Sequence, residues 1–134
     1  MKRWIAGWAV LAVVLPLVFS SCSPNIVPSG WEFLGRREVN FTSDRDTIDV
    51  SRSAGPLKRL LVIAKMNPVE IFDIKVTFES GAVFDAANRM RLFVGRDQLF
   101  IDLPGEARRV REVKFWYRTL NRAARRAEVW LYGQ

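Results

Sequence analysis

Ile71-Phe72-Asp73-Ile74-Lys75-Val76-Thr77-Phe78-Glu79, followed by Ser80-Gly81, is the stretch that decides the fold class. Phe72, Ile74, Val76 and Phe78 alternate with Asp73, Lys75, Thr77 and Glu79. Successive side chains of an extended strand point to opposite faces, so this spacing predicts one apolar and one polar face. Ser80-Gly81 predicts a tight hairpin turn, since glycine takes positive φ without a Cβ clash, and Ala82 to Phe84 begins the return strand. Leu60-Leu61-Val62-Ile63-Ala64 has no alternation at all and predicts a central strand buried on both faces, ended by Asn67-Pro68.

Further strand candidates are Arg37 to Phe41, Thr47 to Val50, Met90 to Val94, Gln98 to Leu103, Arg109 to Tyr117 and Ala127 to Tyr132. Turn signals separate them at Asp44 to Asp46, Ser53 to Pro56, Gly95 to Asp97 and Pro104-Gly105. About eight short strands at such spacing predict an all-β fold, an antiparallel β-sandwich over residues 31–134, in preference to a barrel. Arg118 to Ala127 reads two ways: as a short helix with Leu120, Ala123, Ala124 and Ala127 on one side, or as a hairpin loop around Asn121. The strong strands that flank it closely favour the loop.

The 134 residues allow one folded unit, and what precedes it has the character of a leader. Met1-Lys2-Arg3 is basic, Trp4 to Phe19 contains no charge, and Ser20-Ser21-Cys22 supplies small residues before the single cysteine. Val18-Phe19-Ser20-Ser21-Cys22 resembles the bacterial lipobox, with Phe19 where Leu is usual. The resemblance implies a signal peptide over 1–21, diacylation of Cys22, and a lipidated tether over 22–30. Cleavage after Ser20 with a free thiol, and an uncleaved anchor, are the alternatives. Ser23, where Asp would retain a lipoprotein at the inner membrane, implies the outer membrane facing the periplasm.

There are 21 Lys+Arg against 14 Asp+Glu and no histidine. Acid and base balance from Cys22 to Pro104, so the mature excess lies wholly between Gly105 and Gln134. The lack of histidine removes the commonest general base and metal ligand, and a single cysteine excludes an intramolecular disulfide.

Trp-x-x-Leu-Gly at 31–35, Asp-x-Asp-x-Ile at 44–48, Ile-Asp-Leu-Pro-Gly at 101–105, Arg-x-Val-x-x-Val-x-Phe-x-Tyr at 108–117 and Leu-Tyr-Gly at 131–133 together resemble a group of small exported bacterial β-sandwich proteins of unassigned function. That resemblance implies a fold and a compartment. It supplies no catalytic residue.

Arginine is the chief candidate chemistry. Arg118, Arg122, Arg125 and Arg126 lie in a stretch without acidic residues, near Arg108, Arg109 and Arg111. Guanidinium groups grip phosphate and carboxylate in bidentate fashion, so these four predict an anion-binding surface, against the plainer reading of a solvated face. Asp44, Asp46 and Asp49 cluster as oxygen ligands for a hard cation do, but Arg45 between them and the missing glycine and distal Glu make turn chemistry the better account. Among Trp31, Trp116, Trp130, Tyr117 and Tyr132, alternation sends Val113, Phe115 and Tyr117 inward, leaving Trp116 and Trp130 as outward candidates for stacking.

These observations predict a non-catalytic envelope lipoprotein without cofactors, held to the membrane by its anchor. An anionic lipid, a cell-wall polymer or an acidic envelope protein would be its partner, and nucleic acid would not. A structural or assembly module working through strand edges and exposed tryptophan is the rival; an enzyme is the least supported class, with no Gly-x-Ser-x-Gly and no paired-carboxylate motif.

Overall fold

The computed structural model describes residues 27–40, 44–50, 55–86, 89–120 and 126–134. They form nine strands: β1 (Glu32–Val39), β2 (Asp44–Asp49), β3 (Arg59–Lys65), β4 (Val69–Phe78), β5 (Val83–Asp85), β6 (Met90–Leu92), β7 (Leu99–Asp102), β8 (Val110–Thr119) and β9 (Ala127–Gly133). Each expected strand is found, most within a few residues of its predicted bounds. Sheet A runs β1-β9-β3-β7 and sheet B runs β2-β8-β4-β5, with β6 also on β4, and every pairing is antiparallel.

Alternation builds the core between the two sheets. Leu60, Val62 and Ala64 of β3 join Val129 and Leu131 of β9, Ile74 and Val76 of β4, and Val113, Phe115 and Tyr117 of β8 in one cluster. The Ser80-Gly81 turn is present, with Gly81 at φ 90° and the Phe78 amide donating to the Ala82 carbonyl at 2.9 Å. Most connections cross from one sheet to the other, so β1 and β2, neighbours in sequence, lie in different sheets.

Three expectations need correction. β1 begins at Glu32, five residues before the predicted start, because a register shift between Phe33 and Gly35 breaks the period of two that the eye follows. Asp44 to Asp46 is strand rather than turn: these residues pair with Tyr117, Trp116 and Phe115 of β8. In β4, a second shift between Ile71 and Asp73 turns Phe72 away from the core, where the guanidiniums of Arg89 and Arg118 lie 5.3 and 5.6 Å from its ring. Ile71 takes the inward place instead and is fully buried. Bulges of this kind add a residue to one strand only, and period-two reading cannot see them.

Arg118 and Thr119 end β8 and Ala127 opens β9, while the choice between helix and loop for the intervening 121–125 falls outside the described residues. Where β1 meets β2, the sheets approach closely enough that a Cβ on Gly35 would sit 2.7 Å from Ile48 Cγ2. Arg37 Nε donates to the Thr47 carbonyl at 3.0 Å across the same seam. Among the described residues no helix is long and apolar enough to cross a membrane.

Candidate anion-binding arginines and the polar seam

Arg118 stands near the end of β8 on the outer side of sheet B, directly opposite Glu70 of β4. Its Nε and Nη2 donate to Glu70 Oε2 at 3.3 and 3.1 Å. Arg126 immediately precedes β9 and reaches across sheet A, where its Nε donates to Glu38 Oε1 of β1 at 2.6 Å. The two described members of the arginine group therefore hold acids on different sheets. Arg122 and Arg125 lie outside the described residues, as does Cys22. Arg108 belongs to the far end of β8: its guanidinium lies 3.9 Å from the Phe78 ring and donates to the Pro104 carbonyl at 2.8 Å.

The aspartates divide between faces. Asp44 and Asp46 share the side of β2 that carries buried Ile48, and Asp49 points the other way, so the three carboxylates do not converge. Among the described residues no group of three or more potential ligands is placed to hold a metal ion. Asp44 ties together the two ends of the β1–β2 connection. It accepts from Asn40 Nδ2 at 3.1 Å and from the amide of Arg45 at 2.9 Å. Asp46 accepts the Tyr117 hydroxyl at 2.6 Å. Burial first, then that hydrogen bond and the negative charges of Asp46 and Asp44, push the Tyr117 phenol far above the usual tyrosine range.

One polar cleft of about 470 Å³ runs along this seam, lined by Arg36, Arg37, Glu38, Asn40, Asp44, Asp46, Arg126 and Glu128. It brings the aspartate motif and Arg126 together from distant parts of the chain, which their spacing does not reveal. Both signs of charge line it, and most of the polar groups already have partners within it. The arrangement pairs Arg126 with Glu38 and Asn40 with Asp44 along the seam.

Inward and outward assignments on β8 hold: Val113, Phe115 and Tyr117 are fully buried, and Trp116 faces out under the Lys75 ammonium, 5.4 Å away. The outer side of sheet A carries more aromatic surface than the sequence reading assigned to it. Trp31, Phe33, Phe100, Trp130 and Tyr132 gather there, with Phe33 and Phe100 exposed. A signal was available: Trp130 and Tyr132 are two apart in one strand, and the solid run of β3 demanded cover on its second face.

These features define an all-β domain of two antiparallel sheets with a polar seam and an aromatic outer face. The chain belongs to the family described as a domain of unknown function, DUF2541, whose model matches residues 9–133. No curated protein matches it.

Proposed function

We propose that the chain is an exported bacterial envelope lipoprotein, anchored through acylated Cys22 at the outer membrane. Its β-sandwich then serves as a non-catalytic module that binds an anionic partner through Arg118, Arg122, Arg125 and Arg126. The observation that supports the reading is where β8 ends and β9 begins. Val39 pairs with Ala127 and Glu32 with Gly133, so the residue that begins β1 lies at the opposite end of sheet A from Arg126. Strand β1 sets the two ends about 20 Å apart, and Arg126 lies at the end remote from the tether.

The ion pair to Glu38 leaves this reading open. Arg126 and Glu38 are 65% and 56% exposed, and exposed pairs contribute between 0 and about 1 kcal/mol, so a polyanion competes readily for Arg126; Arg118 is 48% exposed, but its partner Glu70 is buried and holds it more firmly. Lipid headgroups, cell-wall polymer and acidic protein share the phosphate or carboxylate chemistry that such groups take. An assembly module working through protein contacts is the second reading, favoured by exposed Phe33 and Phe100.

The test is binding of the full chain to anionic vesicles and to an acidic polymer over a range of salt. Affinity should fall as salt rises, since exposed charges are screened over about 8–10 Å. Replacing all four arginines with Gln, which retains a donor for Glu70 and Glu38, should weaken binding by up to about 4 kcal/mol, at about 1 kcal/mol for each arginine near an anionic surface. Lys58, Arg59, Arg109 and Arg111, near the opposite end of the strands, changed to Gln are the control. Equal losses in both variants would mean general attraction without a site. No binding by wild type above background would leave the assembly module as the better reading.

A further inference from the structure

Sheet A has an apolar layer on the side away from the core. Leu61 and Ile63 are fully buried, yet they stand outside the cluster between the sheets. The register sets Leu61 between Phe100 and Tyr132, and Ile63 beside Trp130. The rings that keep these residues dry are only partly covered themselves: Phe33 is 46% and Phe100 40% exposed. Phe33 touches Trp130 and Tyr132 with centroids at 5.2 and 5.5 Å, and Trp31 touches Phe100 at 5.7 Å.

Cations border the rings. Arg36 and Lys65 both lie over Trp130, at 5.6 and 5.3 Å, and Arg59 lies over Trp31 and Phe100 at 5.6 and 5.3 Å. The Trp130 indole donates to Glu128, whose side chain is 9% exposed, against 61% for the Arg36 beside it. At Trp130 the charge that reaches outward is positive, and at the Phe100 end Arg59 is balanced by Asp102, 2.8 Å away. Rings with an apolar body and a polar edge, flanked by long cationic side chains whose stems lie along apolar surface, match the chemistry of a membrane–water interface.

We infer that the outer face of sheet A is a membrane-contact surface, resting at headgroup level on the bilayer that holds the anchor. The inference rests on the anchored reading of Cys22. Trp31 is both part of this face and the residue before β1. An extended chain from Cys22 to Trp31 spans about 30 Å at most, so acylation keeps the face within that distance of the lipid. Attachment by so short a tether makes a weak surface contact intramolecular and raises its occupancy without new affinity. The acyl chains hold the protein, and the aromatic face sets which side of the domain lies down.

The test uses full-length lipidated protein in phosphatidylcholine vesicles containing phosphatidylglycerol, with a polarity-sensitive dye on a single introduced cysteine. Phe33→Cys and Phe100→Cys probe the face, and Val83→Cys, 61% exposed on β5 of the other sheet, is the reference. All three positions are at the surface, so the core between the sheets stays closed, and each single variant leaves at least four of the five rings of the face, Trp31, Phe33, Phe100, Trp130 and Tyr132, in place. Dye emission at 33 and 100 should rise several-fold and shift to the blue on vesicles, with no change at 83. Aqueous emission at 33 and 100 in vesicle-bound protein would overturn the inference, as would an equal response at 83. A rise without vesicles that grows with protein concentration would also overturn it, by identifying a second copy as the occupant. Fatty-acid labelling of Cys22 scores the anchor separately. Label without a rise keeps the anchor and rejects the face; a rise without label, repeated with Cys22→Ser so that the dye has one thiol, keeps the face and rejects the anchor.

Discussion

On the outer side of sheet B, Lys75, Thr77, Lys114 and Arg118 reach solvent, and the large rings there, Trp116 and Phe72, each lie near a cation. On the outer side of sheet A, Leu61 and Ile63 are as dry as the core. β8 accordingly reads as alternation and β3 as a solid apolar run. A strand with one wet face needs only its inward residues to be apolar, whereas a central strand whose second face is roofed by neighbouring rings excludes water from both. The roof is supplied by β1, β7 and β9, and it leaves its own outer surface apolar. Burying Leu61 and Ile63 thus moves the exposed apolar surface outward onto Phe33 and Phe100.

The largest expected effect tests whether the outer layer of sheet A is as dry as the core between the sheets. Ile74→Asp, inward on sheet B, should cost more than about 4 kcal/mol, because it buries an unpaired carboxylate. Ile63→Asp, on the outer side of sheet A, should approach that loss, while Lys75→Asp should stay within about 0.5 kcal/mol. Chemical denaturation of the three variants measures this, and an Ile63→Asp as mild as Lys75→Asp would dissolve the contrast between the sheets.

A smaller effect sits where the sheets meet. Gly35→Ala would place a methyl group 2.7 Å from Ile48 Cγ2, and overpacking of that kind costs about 1–3 kcal/mol. Combined with Ile48→Ala, which removes the opposing group, the loss should be less than the sum of the two single changes. Strict additivity in a double-mutant cycle would show that this seam yields without strain.

The smallest effect belongs to the wetter side of sheet B. Burial, then a hydrogen bond that the protonated carboxyl donates to Asp85 and the negative charge of Asp85, raise the Asp73 carboxyl above its ordinary range. A native group that holds its proton more tightly than the unfolded chain stabilises fully below the unfolded value near pH 4, and that contribution is lost as pH rises through the native value. Asp73→Asn, whose side-chain oxygen can still accept the Ile74 amide as Asp73 does at 2.9 Å, should flatten this fall and be more stable than wild type at neutral pH. Unfolding midpoints across the acid range would check it. An unchanged slope would place Asp73 in water.

Alternation at 71–79, the glycine of the Ser80-Gly81 turn and the solid run at 60–64 were legible because each reports a local requirement: which face is wet, which residue tolerates positive φ, and how deep a strand lies. They establish an all-β chain and nearly all its strands, together with the inward set of β8. The same residues do not say which strands become neighbours. Antiparallel pairing across long connections depends on the summed fit of whole faces, so the meeting of Asp46 with Tyr117, and of Arg126 with Glu38, was decided by the tertiary structure. The bulges near Leu34 and Phe72 belong to that level too, since an extra residue is accommodated only against a particular partner strand. So does the aromatic face of sheet A, where Trp31, Phe33, Phe100, Trp130 and Tyr132 come from three strands and the segment before β1, and share a surface only once β9 lies between β1 and β3.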